Sequence, residues 1–190
     1  MRIQKIADPI ELNTYQELTE RWLGIRFPTS YLSAAEVYAA FDDCGNMVGG
    51  FCIQTQLPFR VLNSIPGNAP QPNENEAVEL TGLWFRPSDA RPAGRIYFWL
   101  ALCAKFFRHI HKDIFFGYES SQIGLARTYA SAKPEIVFAG VTQLQPGMTE
   151  VADEVICRAS GFRIALLPLF CPEFYFKRLF RRSNVPKLAV

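Results

Sequence analysis

The sequence has few of the residues that build metal sites and disulfide frameworks. It contains only two histidines and five cysteines, and no two cysteines have C-x-x-C spacing. An odd cysteine count without paired spacing argues against a disulfide scaffold, and the scarcity of histidine argues against a zinc site. We therefore expect reduced thiols, no metal and a cytoplasmic location.

The sequence also lacks an apolar run long enough to cross a membrane, for which about 20 residues are needed. The strongest run, residues 97–104, is followed by Lys105 and Arg108. No apolar segment typical of a signal peptide follows the first residues. With 49% hydrophobic and 20% charged residues, residues 1–190 can form the core of a single domain.

Charge is distributed unevenly along the chain, although the net charge is only +2. From residue 158 to the C-terminus there are seven basic residues and one acidic residue, Glu173. Residues 174–182 interleave aromatic and basic side chains, a pattern typical of surfaces that bind nucleic acid or anionic lipid. The basic tail, residues 174–190, is therefore either a site for an anionic partner or a solvated chain end.

Hydrophobic periodicity predicts a strand, a helix and a hairpin in the first part of the chain. A short strand is expected at residues 3–6, and Asp8 and Pro9 suit the start of a helix extending to residue 25. Residues 37–41 and 47–55 suit two strands around a tight turn. Gly49 and Gly50 in the second strand predict a bulge or a close backbone approach.

The middle of the chain predicts a long loop and then alternating strands and helices. Residues 57–76, rich in proline and asparagine, indicate either a lid over a substrate or a disordered insertion. The elements expected next are a strand at 77–85, a helix at 92–110, a strand at 113–118, a helix capped by Ser120 or Ser121 and ending near 132, and a strand at 135–139. The last segment predicts a helix at 149–159, a C-cap at Gly161 and a strand at 162–167.

The turn after the strand at 77–85 is rich in arginine. It carries Arg86, Arg91 and Arg95, together with Gly94 near the start of the next helix. A helix N-terminus offers unpaired N–H groups and partial positive charge, glycine permits close approach, and arginine adds charge-assisted hydrogen bonds. The turn therefore indicates a phosphate site, and the alternative is an ordinary helix start with surface arginines.

The segment Arg91-Pro92-Ala93-Gly94-Arg95-Ile96 resembles the Q/R-x-x-G-x-G/A pyrophosphate loop of the GNAT superfamily of N-acyltransferases. The order of elements over roughly residues 1–140 also resembles that family, whereas Ile96 stands where the family has glycine or alanine. The resemblance implies an α/β (α+β) fold with a mixed, mostly antiparallel central sheet, flanked by helices and splayed at a central strand pair. It also implies acetyl-CoA or another acyl-CoA as co-substrate and an amine as acceptor.

The resemblance further implies roles for individual residues. Glu79 would be the general base with Glu119 as its rival, and Tyr129 would protonate the leaving thiolate. Backbone N–H groups near residues 83–85 would polarise the thioester carbonyl. The residues expected to bind the coenzyme are Leu83, Trp84, Phe85, Arg86, Arg91, Ala93, Gly94, Arg95, Ile96, Ser120 and Ser121. Structural alternatives are a solvent-facing Glu79, a core Tyr129 and serines that only cap a helix.

The sequence therefore predicts an N-acyltransferase that acts by direct attack of a primary amine on an acyl-CoA. Two alternatives stay open. One is a non-catalytic binding module of the same fold, which the departure at Ile96 favours. The other is a protein that acts on RNA or a membrane surface through its basic tail.

Overall fold

Seven strands form one sheet in the order β1-β2-β3-β4-β5-β7-β6 in the computed structural model, which describes residues 1–67, 69–73, 75–86 and 92–171. The strands are β1 Arg2–Ile6, β2 Glu36–Phe41, β3 Met47–Gln54, β4 Ala77–Phe85, β5 Asp113–Glu119, β6 Glu135–Val141 and β7 Asp153–Ser160. The helices are α1 Pro9–Leu23, α2 Thr29–Ala34, α3 Arg60–Asn63, α4 Pro92–Lys105, α5 Ile123–Ala130, α6 Gly161–Ala165 and α7 Leu167–Phe170.

The central strands β4 and β5 run parallel, and the other paired strands of this sheet are antiparallel. β4 and β5 pair only from Ala77 opposite Asp113 to Glu79 opposite Phe115. Beyond that point β4 continues against β3, while β5 continues against β7. The two strands therefore part and leave a cleft between them, which confirms the predicted mixed sheet with a splayed central pair.

Helices cover both faces of the sheet. On one face α4, α5, α6 and α7 pack on a core that contains Phe51, Phe98 and Phe116. On the other face α1 and α2 surround Tyr15 and Phe27. Each large apolar side chain buried in these layers contributes about 1.5–3 kcal/mol, so both layers stabilise the sheet that carries the cleft.

The predicted start of α1 and the predicted close approach at Gly50 are both confirmed. The Asp8 carboxylate accepts hydrogen bonds from the backbone N–H groups of Ile10 and Glu11, and Pro9 occupies the first turn. A Cβ atom at Gly50 would lie 2.6 Å from a ring carbon of Tyr15. Glycine at this position lets α1 pack closely against β3.

The segment predicted as a long loop contains α3 and is packed into the protein. Phe59, Leu62 and Ile65 are buried in one cluster with Phe115 of β5. They cover the half of the sheet that α1 and α2 leave open. The segment therefore forms one wall of the cleft.

Two predictions beyond residue 143 are wrong. Strand β7 occupies most of the predicted helix at 149–159, and helix α6 occupies most of the predicted strand at 162–167. Val151, Val155 and Ala159 recur at a spacing of four, which mimics a helical face. Pairing with β5 on one side and β6 on the other decides the structure instead, because strand preference depends on the neighbours a strand receives.

Gly161 is the first residue of α6 and not a C-cap. A Cβ atom there would lie 2.1 Å from the carbonyl oxygen of His109, which belongs to the 3₁₀ turn Phe106–His109 after α4. The predicted helix at 92–110 thus ends as an α-helix at Lys105. Glycine is needed at position 161 for the close approach of two backbones.

The predicted serine cap of the next helix is also wrong. α5 begins after Gln122, and no side chain caps it. The hydroxyl of Ser120 donates to Asp153, and that of Ser121 donates to Glu119. Within the described ranges, none of the helices has the length and apolar character of a membrane span. The basic tail, residues 174–190, lies outside the described residues.

Candidate active site

The parting of β4 and β5 leaves a cavity of about 400 Å³, here called the main cavity. Its walls come from β4, β5, α3, α5 and the segment 145–154 that leads into β7. A second cavity of about 260 Å³ adjoins it and is lined by aromatic side chains, among them Trp22, Trp84, Phe98 and Trp99. The two cavities share four lining residues, Leu23, Leu83, Gln122 and Leu125, so they form one continuous cleft.

Glu79 lies at the floor of the main cavity, where β4 leaves β5. Its side chain is fully buried, and three groups donate hydrogen bonds to it. The backbone N–H of Val61 donates to Oε1 at 2.9 Å, and that of Arg60 donates to Oε2 at 2.9 Å. The Tyr31 hydroxyl also donates to Oε2, at 3.1 Å. The glutamate predicted as base is therefore an interior group that joins β4 to the start of α3 and to α2.

Burial raises the pKa of Glu79 to about 7, against the opposing effect of the hydrogen bonds from Val61, Arg60 and Tyr31 and of the Arg60 charge. Protonated and ionised forms are then both populated near neutral pH, which suits a group that takes up and releases a proton. An ionised carboxylate has about four acceptor positions, of which three are used here. One position remains for an incoming donor such as an amine or a water molecule.

A β-bulge shapes the wall of the cleft beyond Glu79. Gly50 of β3 faces Trp84 while Cys52 faces Thr81, so β4 has an extra residue in this stretch. Gly82 has a φ of 60°, and its carbonyl oxygen accepts a 2.6 Å hydrogen bond from the Tyr15 hydroxyl. Since N–H and C=O of one peptide point in opposite directions, the N–H of Leu83 points away from Tyr15.

The other two candidate catalytic side chains also line the main cavity, in different settings. Tyr129 of α5 is buried, and its ring contacts those of Phe116 and Tyr118. Burial raises the pKa of Tyr129 above its ordinary value, so its hydroxyl keeps its proton. Glu119 is exposed at the end of β5, where it accepts the hydrogen bond of Ser121.

The residues predicted to bind a coenzyme extend from the main cavity to α4. Leu83 lines both cavities, Trp84 is buried with an indole nitrogen that has no hydrogen-bond partner within the described ranges, and Phe85 stacks on Phe98 at 4.7 Å. The Arg86 guanidinium lies 5.5 Å from the centre of the Trp22 ring.

The predicted phosphate site coincides with the first turn of α4. Ala93, Gly94, Arg95 and Ile96 are exposed or half-buried at the start of α4, where the backbone N–H groups of Ala93 and Gly94 lack helical partners. Arg91 lies outside the described residues. Ser120 and Ser121 stand at the end of β5, and both hydroxyls already donate to carboxylates.

Solved structures share this arrangement of strands and helices at low sequence identity. A ribosomal-protein-alanine N-acetyltransferase from Brucella melitensis is 13% identical, with a TM-score of 0.55 over 84% of this chain and 99% of that one. A spermidine N-acetyltransferase chimera from Vibrio cholerae and hSSAT is 8% identical, with a TM-score of 0.58 over 86% and 99%. A Bacillus subtilis acetyltransferase in complex with CoA is 15% identical, with a TM-score of 0.52 over 84% and 97%.

The fold is that of the GNAT superfamily. No protein-family model matches the sequence, and no curated protein is significantly similar to it. The order of elements and the loop at residues 91–96 predicted this fold, and the likeness to the solved structures confirms it. At these identities the comparison shows the fold alone, so the roles of Glu79, Tyr129 and the first turn of α4 rest on geometry.

Sequence reasoning missed two residues that line the main cavity, Arg60 and Glu154, and one that donates a hydrogen bond to Glu79, Tyr31. Tyr31 and Arg60 lie in α2 and α3, short helices without a periodic pattern. Glu154 lies in β7, which was predicted as a helix. A single acidic or basic residue in such a segment resembles a surface residue, and only the packing of the 57–65 segment places Arg60 in the cleft.

Proposed function

We propose that this protein transfers an acetyl or other acyl group from an acyl-CoA to a primary amine bound in the main cavity. The observation that carries the proposal is the position of Glu79. A buried carboxyl group with a pKa of about 7 lies where the two parallel strands part, at the floor of an open cleft. The GNAT fold supports it, because the solved structures that share it include named N-acetyltransferases.

The free edge of β4 suits the extended arm of a coenzyme. From residue 80 to residue 85 no described strand pairs with β4 on the side that faces β5. Backbone groups left without partners favour a ligand that supplies amides in an extended conformation, as the pantetheine arm does. The first turn of α4, with Gly94, would receive the pyrophosphate, and Trp84 and Phe85 would contact the arm.

The chemistry needs a base, a donor to the carbonyl oxygen and an acid. Glu79 takes a proton from the acceptor ammonium, directly or through water, and the free amine attacks the thioester carbonyl carbon. The N–H of Leu83 donates to the oxygen that becomes negatively charged. The carbon–sulfur bond then breaks as the attacking nitrogen loses its second proton, and the Tyr129 hydroxyl relays a proton to the departing thiolate while it accepts the one from nitrogen.

The state of the cysteines agrees with a cytoplasmic location, which is part of this proposal. All five are unpaired, and Cys52, Cys103 and Cys157 are buried. Free thiols persist in a reducing compartment, whereas secreted proteins use them in disulfides.

Calorimetric titration with acetyl-CoA, followed by a thiol-release assay with a panel of primary amines, tests the proposal. We expect micromolar binding by the native protein, weakened at least tenfold by Gly94→Trp, with Gly94→Ala as the control for a small change at the same position. No binding by the folded native protein would overturn the coenzyme assignment. Binding without transfer to any amine would support the non-catalytic module that Ile96 favours.

A further inference from the structure

Arg60 is a buried cation of the main cavity with one uncommitted hydrogen-bonding group. Only 9% of the Arg60 surface is exposed to solvent. Nη1 donates to the carbonyl oxygen of Pro146 at 2.5 Å, and the guanidinium carbon lies 5.3 Å from the centre of the Phe27 ring. Nη2 is buried and has no hydrogen-bond partner in the part of the chain that the structure describes. A buried donor without a partner is costly, so this group indicates a ligand oxygen.

Glu154 is the complementary anion of the same cavity. Its carboxylate oxygen lies near Gly117 of β5, at 3.7 Å from where a Cβ atom of that glycine would stand. Burial raises the pKa of Glu154, helped by the nearby Glu119 and opposed by Arg60. No hydrogen bond or ion pair joins this carboxylate to another described residue. Gly117 and Glu154 both line the main cavity, so a ligand bound there can reach this carboxylate.

Arg60 and Glu154 therefore face one cavity with opposite charges and are not bonded to each other. Each affects the pKa of the other, yet no ion pair within 4.0 Å joins them among the described residues. A ligand that carries a cation and an oxygen acceptor close together would satisfy both. A ligand with only cationic groups would leave Nη2 unpaired beside a second positive charge.

We propose, on the basis of the function proposed above, that the acceptor is an α-amino carbonyl compound. Its ammonium group would bind Glu154 within reach of Glu79, and its carbonyl or carboxylate oxygen would accept a hydrogen bond from Arg60 Nη2. A free amino acid and the N-terminus of a peptide share this chemistry. A side-chain lysine amine and a polyamine do not, because no oxygen lies next to their amino carbon.

Matched acceptors test this inference in the native protein. Alaninamide carries the α-carbonyl, and 1,2-dimethylpropylamine replaces the amide by an isopropyl group of similar shape. We expect kcat/KM for alaninamide, expressed per free amine, to exceed that of the isostere at least tenfold, because the isostere leaves a buried donor unpaired. Alanine and a short peptide with a free N-terminus then distinguish a carboxylate from an amide oxygen.

Two variants separate the roles of the charges. Arg60→Met should abolish the preference for alaninamide, whereas Glu154→Gln should raise KM for both amines and leave their ratio unchanged. Retained binding of acetyl-CoA in calorimetry shows that each variant is folded. Equal use of the two amines by the native protein, within threefold, would overturn the inference. That result would leave the acyltransferase proposal standing, whereas no transfer to any amine would count against both.

Discussion

The two ends of the cleft are built by different means. At the floor, the Glu79 carboxylate of β4 is held by the Tyr31 hydroxyl of α2 and by two backbone N–H groups at the start of α3. Toward α4, the cleft presents aromatic surfaces and the backbone of a helix start. Ionisable groups are therefore concentrated at one end of the cleft and aromatic surfaces at the other. Substitutions at the floor should therefore change rate and pH dependence, and substitutions at α4 should change coenzyme affinity.

The largest effect should follow from Glu79→Gln. Because the amide cannot take up the ammonium proton, we expect kcat to fall by about 100-fold or more, with acetyl-CoA affinity unchanged. In the native protein kcat/KM should rise as pH increases through about 7, as Glu79 ionises. Steady-state rates across pH 5.5–8.5 measure both effects.

Glu119→Gln is the matched control, since Glu119 lines the same cavity but is exposed. Its rate should stay within threefold of the native value. If Glu119→Gln lost activity and Glu79→Gln kept it, the base would be at the rim of the cleft, and the buried glutamate would be a structural link between β4 and α3.

Glu79→Gln should also change the free energy of unfolding, by on the order of 1–3 kcal/mol. The pKa of Glu79 is about 7 in the folded protein and near its ordinary value of 4.5 when unfolded. The folded state binds the extra proton between these values, so this contribution to stability is present below about pH 4.5 and is lost as pH rises through 7. Glu79→Gln should therefore gain stability relative to the native protein between pH 5 and pH 8.

Urea unfolding of the native protein and of Glu79→Gln at pH 5 and pH 8 measures this difference. The contributions of other titrating groups are the same in both proteins and cancel in the comparison. The same series with Glu119→Gln is the control. A difference between Glu79→Gln and the native protein that is independent of pH would show that Glu79 is ionised in the folded protein throughout, contrary to its burial.

Gly82→Ala should destabilise the protein by about 2 kcal/mol, because the bulge needs glycine for two reasons. The φ of 60° is strained for alanine, and its Cβ would lie 2.6 Å from the Tyr15 hydroxyl oxygen. Gly67→Ala is the matched control, with a φ of 84° and no atom within 4 Å of the added Cβ. Equal unfolding free energies for the two variants would show that strain alone, without the contact to Tyr15, requires Gly82.

The first part of the chain could be predicted because local signals and packing agree there. Asp8 and Pro9 start α1, the turn at 42–46 joins β2 and β3, and the period of the apolar residues matches the faces they bury. The position of Glu79 on β4 was predicted as well. Its burial was not, since a strand residue gives no sign of the segment that will cover it.

The end of the chain could not be predicted because packing opposes the local pattern there. β7 lies between two strands and buries Ile156 and Cys157, which are adjacent in sequence and point to opposite faces. Such a strand lacks the alternation that identifies a strand with one exposed face. Because β7 was predicted as a helix, Glu154 was not recognised as a cavity residue, although it is one of the two charged groups that indicate the acceptor.

The smallest effect should follow from Tyr129→Phe. A thiolate leaves without much help from an acid, so loss of the hydroxyl should lower kcat by about tenfold or less, and the retained ring should keep stability within about 1 kcal/mol. Tyr97→Phe is the control, since Tyr97 is 48% exposed on α4 and outside both cavities. Steady-state kcat for both variants, with unfolding curves, makes the comparison. An unchanged rate for Tyr129→Phe would assign Tyr129 to the core beside Phe116 and leave the thiolate to be protonated by water.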